Sequence, residues 1–331
     1  MSRFLVALTT LLLLGASSAH ALVQRAYVSA LTGNDSNTAT NCQATAPCRW
    51  FAGAISVVSS GGEIVAMDSG AYGTVTITKS IAIVSAPGVY AGITVFSGDG
   101  IIIATAGIDV VLRGLTINGL GGDNGVHMSA GNSLTMQNCA ITNFTTTGLY
   151  VSGSSRVRLL DSLLRGNGNG AYFLHGPRVL VSGSRFLDNT YIGLRGGASG
   201  AGVVTRVEVN RSEASGNTLN AGFYANADTG GRTEFNLKDS NASRNAHGVE
   251  TNSDTGAALA RVSNSLISGN TSDGLYAHGS GAKLVAAANR VTDNGVGLLQ
   301  SSSATFQSTG DNTVTDNTTN FSGTIASLAN M

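Results

Sequence analysis

Charge is scarce in this chain. Only 11% of its 331 residues are charged, and 19 basic side chains balance 19 acidic ones. There is no basic run to track a phosphate backbone and no acidic tail to stay unfolded, so nucleic acid is not an expected partner. Proline is rarer still, at 3 residues, which excludes collagen-like and proline-rich architectures. Three cysteines are too few for a disulfide-built scaffold. Beyond the N-terminus no apolar run is long enough to cross a membrane. No P-loop, dinucleotide fingerprint, zinc-ligand cluster or nucleophile elbow is found.

What is present is turn chemistry. Glycine numbers 44, and Ser, Thr and Asn fill much of the remainder, as expected where many short strands meet many turns. Met1–Ala21 has the form of a secretory signal peptide: Arg3, an apolar stretch from Phe4 to Leu14, and Ala19-His20-Ala21 before the expected cut. Removing it leaves 18 basic against 19 acidic side chains, a net charge of −1. A secreted or periplasmic location follows as an expectation, and an oxidising compartment would permit Cys42 and Cys48 to pair.

The stretch Arg156–Pro177 reads as one complete coil. Val157 and Leu159 alternate, then Ser162 and Leu164, then Ala171 and Phe173, which gives three short strands with one face inward. The coil recurs. Leu115, Cys139, Ser162, Ser184, Ser212, Ser240, Ser265, Asn289 and Asn312 form a column with spacings of 24, 23, 22, 28, 28, 25, 24 and 23. An apolar residue stands two positions after each. Five positions after each of the last seven stands Asn: 167, 189, 217, 245, 270, 294 and 317. Stacked on parallel strands, these amides would bond in a ladder, so the column reads as structural. Cys139 shares the column of small residues and reads as a packed, inert thiol. A third column begins with Gly125, Gly148, Gly170, Gly193, Gly222, Gly248, Gly274 and Gly297, each followed by an apolar residue that must face inward.

This organisation predicts an all-β, right-handed parallel β-helix with three strands per coil and roughly a dozen coils. The expected divisions are 1–21 signal peptide, 22–62 a polar lead-in and cap, and 63–331 the solenoid. Trp50–Ser60 is expected to be an amphipathic capping helix stopped by Gly61-Gly62.

Residues 26–95 carry Gly33-Asn34-Asp35, Pro47-Cys48-Arg49-Trp50-Phe51, Gly61-Gly62-Glu63-Ile64, Asp68-Ser69-Gly70, Tyr72-Gly73, Ile77-Thr78-Lys79-Ser80 and Ala86-Pro87-Gly88-Val89-Tyr90-Ala91-Gly92. In these pieces the chain resembles secreted bacterial right-handed parallel β-helix repeat proteins, and the remainder resembles them through its repeats. The resemblance implies the pectate-lyase-like fold, a group in which many members act on polysaccharides and many have no known activity.

Two features could carry chemistry. Fixing the inward residues of the third strand leaves His127, Tyr150, Tyr172, Arg195, Tyr224, Glu250, Tyr276 and Leu299 outward. The four tyrosines, with His127 and Arg195, are candidates for a carbohydrate-binding row, because tyrosine joins an apolar ring face to a polar tip. Cross-strand packing is the plainer role for the same rings. Secondly, three adjacent coils are lengthened after the third strand, near 196–202, 226–231 and 252–256. Asp228 and Asp254 have equal offsets from their glycines, as do Asn226 and Asn252. The two carboxylates, with Glu250, are the candidate catalytic residues, and Asp228/Asp254 a candidate calcium site; solvated turn residues are the plainer reading. Asn252-Ser253-Asp254 is similar to the Asn-Thr-Asp motif of polygalacturonases, but that family's Asp-Asp pair and Arg-x-Lys motif are missing.

The functional expectation is a non-catalytic carbohydrate-binding or surface-interaction protein, with a polysaccharide lyase or glycoside hydrolase as the alternative. A glycan is the expected partner and a monomer the expected state. No cofactor is required, and no room is left after residue 331 for a translocating barrel.

Overall fold

The computed structural model describes residues 22–328; the signal-peptide segment lies outside the described residues. The chain winds through three parallel sheets of 13, 11 and 11 strands. Each coil visits them in turn. In one coil the strands are Arg156–Leu160 in the first sheet, Leu163–Arg165 in the second and Asn169–Leu174 in the third. The next coil returns to the first sheet at Arg178–Ser182, in register with the last: Val157 beside Val179, Leu159 beside Val181.

Single residues turn the corners. Asp161 (φ 48°) separates the first strand from the second, and Gly166 (φ 66°) the second from the third. The left-handed conformation recurs one position before each ladder, most often on Asn, Asp or Gly, which tolerate it best. The predicted inward residues are buried: Val126, Leu149, Ala171, Leu194, Phe223, Val249 and Leu275 are fully covered. Burying side chains of this size contributes roughly 1.5–3 kcal/mol each before entropy.

Two polar ladders run through the interior. Asn189 donates its backbone N–H and its Nδ2 to Asn217 Oδ1 at 3.1 and 3.0 Å, while Nδ2 also reaches Leu164 O at 3.2 Å. Asn217 repeats this toward Asn245 Oδ1 and Phe186 O. The pattern holds from Asn167 to Asn294. Asn317, the last of the column, keeps the bond to Val291 O and turns its amide also to Thr315 O and Asn320 Oδ1. The serine column forms a second ladder: the backbone N–H of Ser184 donates to Ser212 Oγ, and that of Ser212 to Ser240 Oγ, each at 3.2 Å. Cys139 sits at its head, buried, with Sγ against Leu112 O and Gln137 O. Burial pushes its thiol up to about 11, which suppresses the reactive thiolate.

The marker glycines have extended backbones and are needed for space. A Cβ on Gly170 would lie 2.4 Å from Gly193 O and 3.0 Å from Asn189 Nδ2. The third strand therefore passes directly over the Asn ladder.

At the N-terminal end the lead-in already contributes a strand, Val23–Val28, which edges the first sheet. Cys42 and Cys48 form the expected disulfide. The helix spans Phe51–Val57, shorter than Trp50–Ser60. Its successor, Val58–Ala66, is a strand that carries Gly61 and Gly62 with it. Consecutive β-branched Val57 and Val58 disfavour another helical turn and suit a sheet. Phe51, Ala54, Ile55 and Val57 face the core. Asp68 knots the same end: it accepts from Ser29 Oγ, Ala30 N–H and Tyr72 Oη.

Candidate functional site

The third sheet places the outward row in strict register. Tyr150 lies beside Tyr172, Tyr172 beside Arg195, Arg195 beside Tyr224, Tyr224 beside Glu250 and Glu250 beside Tyr276. The row is half-buried rather than exposed, and Glu250 is only 7% accessible. His127 stacks on Tyr150 at 5.0 Å and 25°, and Tyr150 packs on Tyr172 at 5.5 Å and 32°. The Arg195 guanidinium continues the stack, 4.5 Å from the Tyr172 ring centre and 5.3 Å from that of Tyr224. The ring faces are thus occupied by one another. What the row offers a ligand is edges: hydroxyls, imidazole and guanidinium. Of the two roles weighed from the sequence, cross-strand packing is the one the ring contacts display.

The lengthened coils are strand extensions closed by short turns. Ile192–Ser199 and Ala221–Asp228 run on together, Ser199 beside Asp228. Thr205 and Thr233 hydroxyls tie the first sheet to the third through Gly197 O and Asn226 O, at 2.7 and 2.6 Å. Ser253, just past the third-sheet strand His247–Asn252, donates to Ala227 O of the preceding coil at 2.8 Å. Small buried residues, Ala198, Ala225 and Ala227, let these layers close.

The extensions bring Asn226 to the row, and their turns stay together beyond it: the backbone N–H of Thr229 donates to Thr255 Oγ1 and that of Gly230 to Thr255 O, each at 2.9 Å. Arg195 Nε donates to Asn226 Oδ1 at 2.9 Å, and Asn226 Nδ2 to Asp228 Oδ2 at 3.0 Å. Pairing between these coils ends at Asn226 and Asn252. Asp228 is still in a strand, paired to the coil before, while Asp254 lies in a turn whose carbonyl meets Ser280 of the coil after. Both are exposed. Among the described residues no group of three or more His, Cys, Asp or Glu is arranged to hold a metal ion.

Glu250 is in different company. His247 lies on its own strand, and its Nδ1 is 2.8 Å from Asp273 Oδ2 on the next. Asn252 Nδ2 reaches Glu250 Oε1 at 3.4 Å. Tyr276 Oη meets His278 Nδ1 at 2.9 Å. Burial raises the Glu250 carboxyl above its ordinary value of 4.5, with His247, Asn252 and His278 opposing. Burial lowers His247, but its Asp273 hydrogen bond and the charges of Glu250 and Asp273 outweigh this and leave it above 6.5. Burial also raises the Tyr172 and Tyr224 hydroxyls, against the pull of Arg195. A carboxyl and an imidazole so placed can exchange protons with a bound hydroxyl. His247, Asp273 and His278 were not candidates from the sequence. Their signal was available: His247 and Asp273 both precede a marker glycine, so they share a column.

Raised folded-state values for Glu250 and His247 have one sign. The native state binds more protons than the unfolded chain, so stability is fully present at low pH and falls as pH rises, first above 4.5 for Glu250 and then above 6.5 for His247. Melting curves across this range will show that fall, and Glu250→Gln will flatten its lower part. An identical profile in the variant would rule Glu250 out as its source.

The comparisons agree with this architecture. The family described as right handed beta helix region matches residues 99–258. The chain is a right-handed parallel β-helix protein. The β-helix superposes on the crystal structure of pectate lyase Pel9A with a TM-score of 0.53 at 18% identity, covering 91% of this chain and 81% of that one. It is similar also to the A-module of the Azotobacter vinelandii mannuronan C-5 epimerase AlgE4: TM-score 0.53, 11% identity, 82% of this β-helix and 91% of the module. No curated relative matches it in sequence. No helix among the described residues is long and apolar enough to cross a membrane.

Proposed function

We propose that this β-helix is a secreted or periplasmic carbohydrate-binding protein that holds a glycan along the third-sheet row. The observation that carries the reading is the in-register stack from His127 to Tyr224, whose hydroxyl, imidazole and guanidinium edges all face one side. Sugars are recognised by such donors and acceptors held in a fixed frame, and here the frame is the sheet itself. The two similar folds are those of a pectate lyase and a mannuronan C-5 epimerase, each named for a polysaccharide. The Cys42–Cys48 disulfide fits an oxidising compartment.

A polysaccharide array read for both binding and new chain ends tests this. With a ligand so found, Tyr172→Ala combined with Tyr224→Ala will weaken binding by at least about tenfold, or about 1.4 kcal/mol. It will also cost the fold about 0.5–1.5 kcal/mol per lost aromatic contact. Unchanged affinity would remove the row from consideration.

A second reading, cleavage or epimerisation of the bound chain, is favoured by the buried Glu250 beside the His247–Asp273 pair. Activity that survives Glu250→Gln would end it. Asp228 and Asp254 enter this reading as accessories. If their turns take up calcium, the ion will raise the melting temperature; a value unmoved by calcium or chelator removes the metal.

A further inference from the structure

We propose that the outer face of the first sheet is a second binding site, an arginine ladder for an acidic polysaccharide. The proposal is independent of the third-sheet row. Arg156, Arg178 and Arg206 stand side by side on three successive strands, in register. Arg158 lies two positions after Arg156 on the same face. The four arginines line a shallow cavity of about 290 Å³ together with Leu180 and Glu208. No run of basic residues in the sequence announces this patch; the coil repeat assembles it from three separate strands.

Like charges placed opposite each other on neighbouring strands destabilise a sheet. The two ends of the column are relieved from within the protein. Arg206 Nε donates to Glu234 Oε2 at 3.0 Å, and Glu234 also holds Arg232. Arg156 reaches Asn132 Oδ1 at 3.2 Å and favours the ionised form of Asp109. The middle is not relieved. Among the described residues, neither Arg158 nor Arg178 has an ion pair or a side-chain hydrogen bond. Both are exposed. They are diagonal neighbours on adjacent strands, Arg158 beside Leu180 and Arg178 beside Arg156, a separation of about 7–8 Å that long side chains span.

A partner must bring negative charges that repeat along the solenoid axis. Guanidinium forks suit carboxylates or sulfates, which they bind through paired N–H groups. No aromatic ring lines the cavity on which a nucleobase could stack. Of its apolar lining residues Val157 and Val179 are buried and Leu180 is half-buried between Arg158 and Glu208, so none stands out to enter a lipid layer. A linear acidic polysaccharide supplies repeated anions and needs neither feature.

The test uses the full chain, titrated with an oligogalacturonate, a neutral gluco-oligosaccharide of equal length, single-stranded DNA and phosphatidylglycerol vesicles. The oligogalacturonate should bind with an affinity that falls as salt rises, and R158Q/R178Q should weaken it at least about tenfold. Y172A/Y224A should leave this component intact, so the two sites fail separately. R158K/R178K keeps the charge and should retain the salt-sensitive binding, which guards against a variant that merely folds poorly. Wild-type affinity in R158Q/R178Q would overturn the proposal. So would tighter binding of DNA or vesicles through the same arginines, or loss of the component in Y172A/Y224A alone.

Discussion

Replacing Asn217 by alanine will cost the fold on the order of 3 kcal/mol or more, since each buried polar group left unpaired costs about 1–3 kcal/mol. The substitution removes one acceptor that two protons of Asn189 share. It also removes the donor to Phe186 O and to Asn245 Oδ1. Asn217 is fully buried, so water cannot replace these bonds without opening the coil. The measurement is the urea midpoint, with Asn317→Ala as the comparison. Asn317 ends the ladder and is only half-buried, so its loss should be far milder. Equal effects at the two positions would mean that the ladder contributes no more inside the solenoid than at its end.

The second large effect is expected at Gly193. A Cβ there would stand 2.5 Å from Gly222 O and 3.0 Å from Asn217 Nδ2. The obstacle is backbone and a ladder amide, neither of which can rotate away. Overpacking of this kind costs about 1–3 kcal/mol, and the backbone obstacle places Gly193→Ala at the upper end. The strain acts on the spacing between coils, so the variant should also weaken the Asn189–Asn217 bond beneath it. Combining Gly193→Ala with Asn217→Ala should therefore cost less than the sum of the two. A Gly193→Ala protein as stable as the parent would show that the coils can part at no cost.

These two positions also show what could be read from the sequence. Asn217 and Gly193 belong to columns in which one residue type repeats because nothing else fits: an amide that both donates and accepts, and the absence of a Cβ. Such columns fix the coil, its three strands and the parity of every side chain. Parity then gives the row from His127 to Leu299. It does not give the torsions that turn the rings against one another, so the stacking and the closed ring faces were not legible. Nor was the burial of Glu250, which depends on neighbours supplied by two other coils. At Asp228 and Asp254 the equal offsets still count register, since Ser253 Oγ meets Ala227 O and the Thr229 N–H meets Thr255 Oγ1, although the strand Ala221–Asp228 runs on where His247–Asn252 stops. The expected helix was too long, since a periodic apolar pattern extends readily into the first residues of a strand.

The bonds from one Asn of the ladder to the next all run one way: donors from the earlier coil, acceptor from the later. Every interior coil therefore presents an acceptor to its predecessor and donors to its successor, like bricks with matching studs and sockets. Removing or duplicating a whole coil rejoins stud to socket, whereas a cut within one leaves a buried N–H with no acceptor, the rarer and costlier defect. The length of such a protein can thus drift over generations in steps of a full coil, here 22 to 28 residues, while the architecture stays closed at every step.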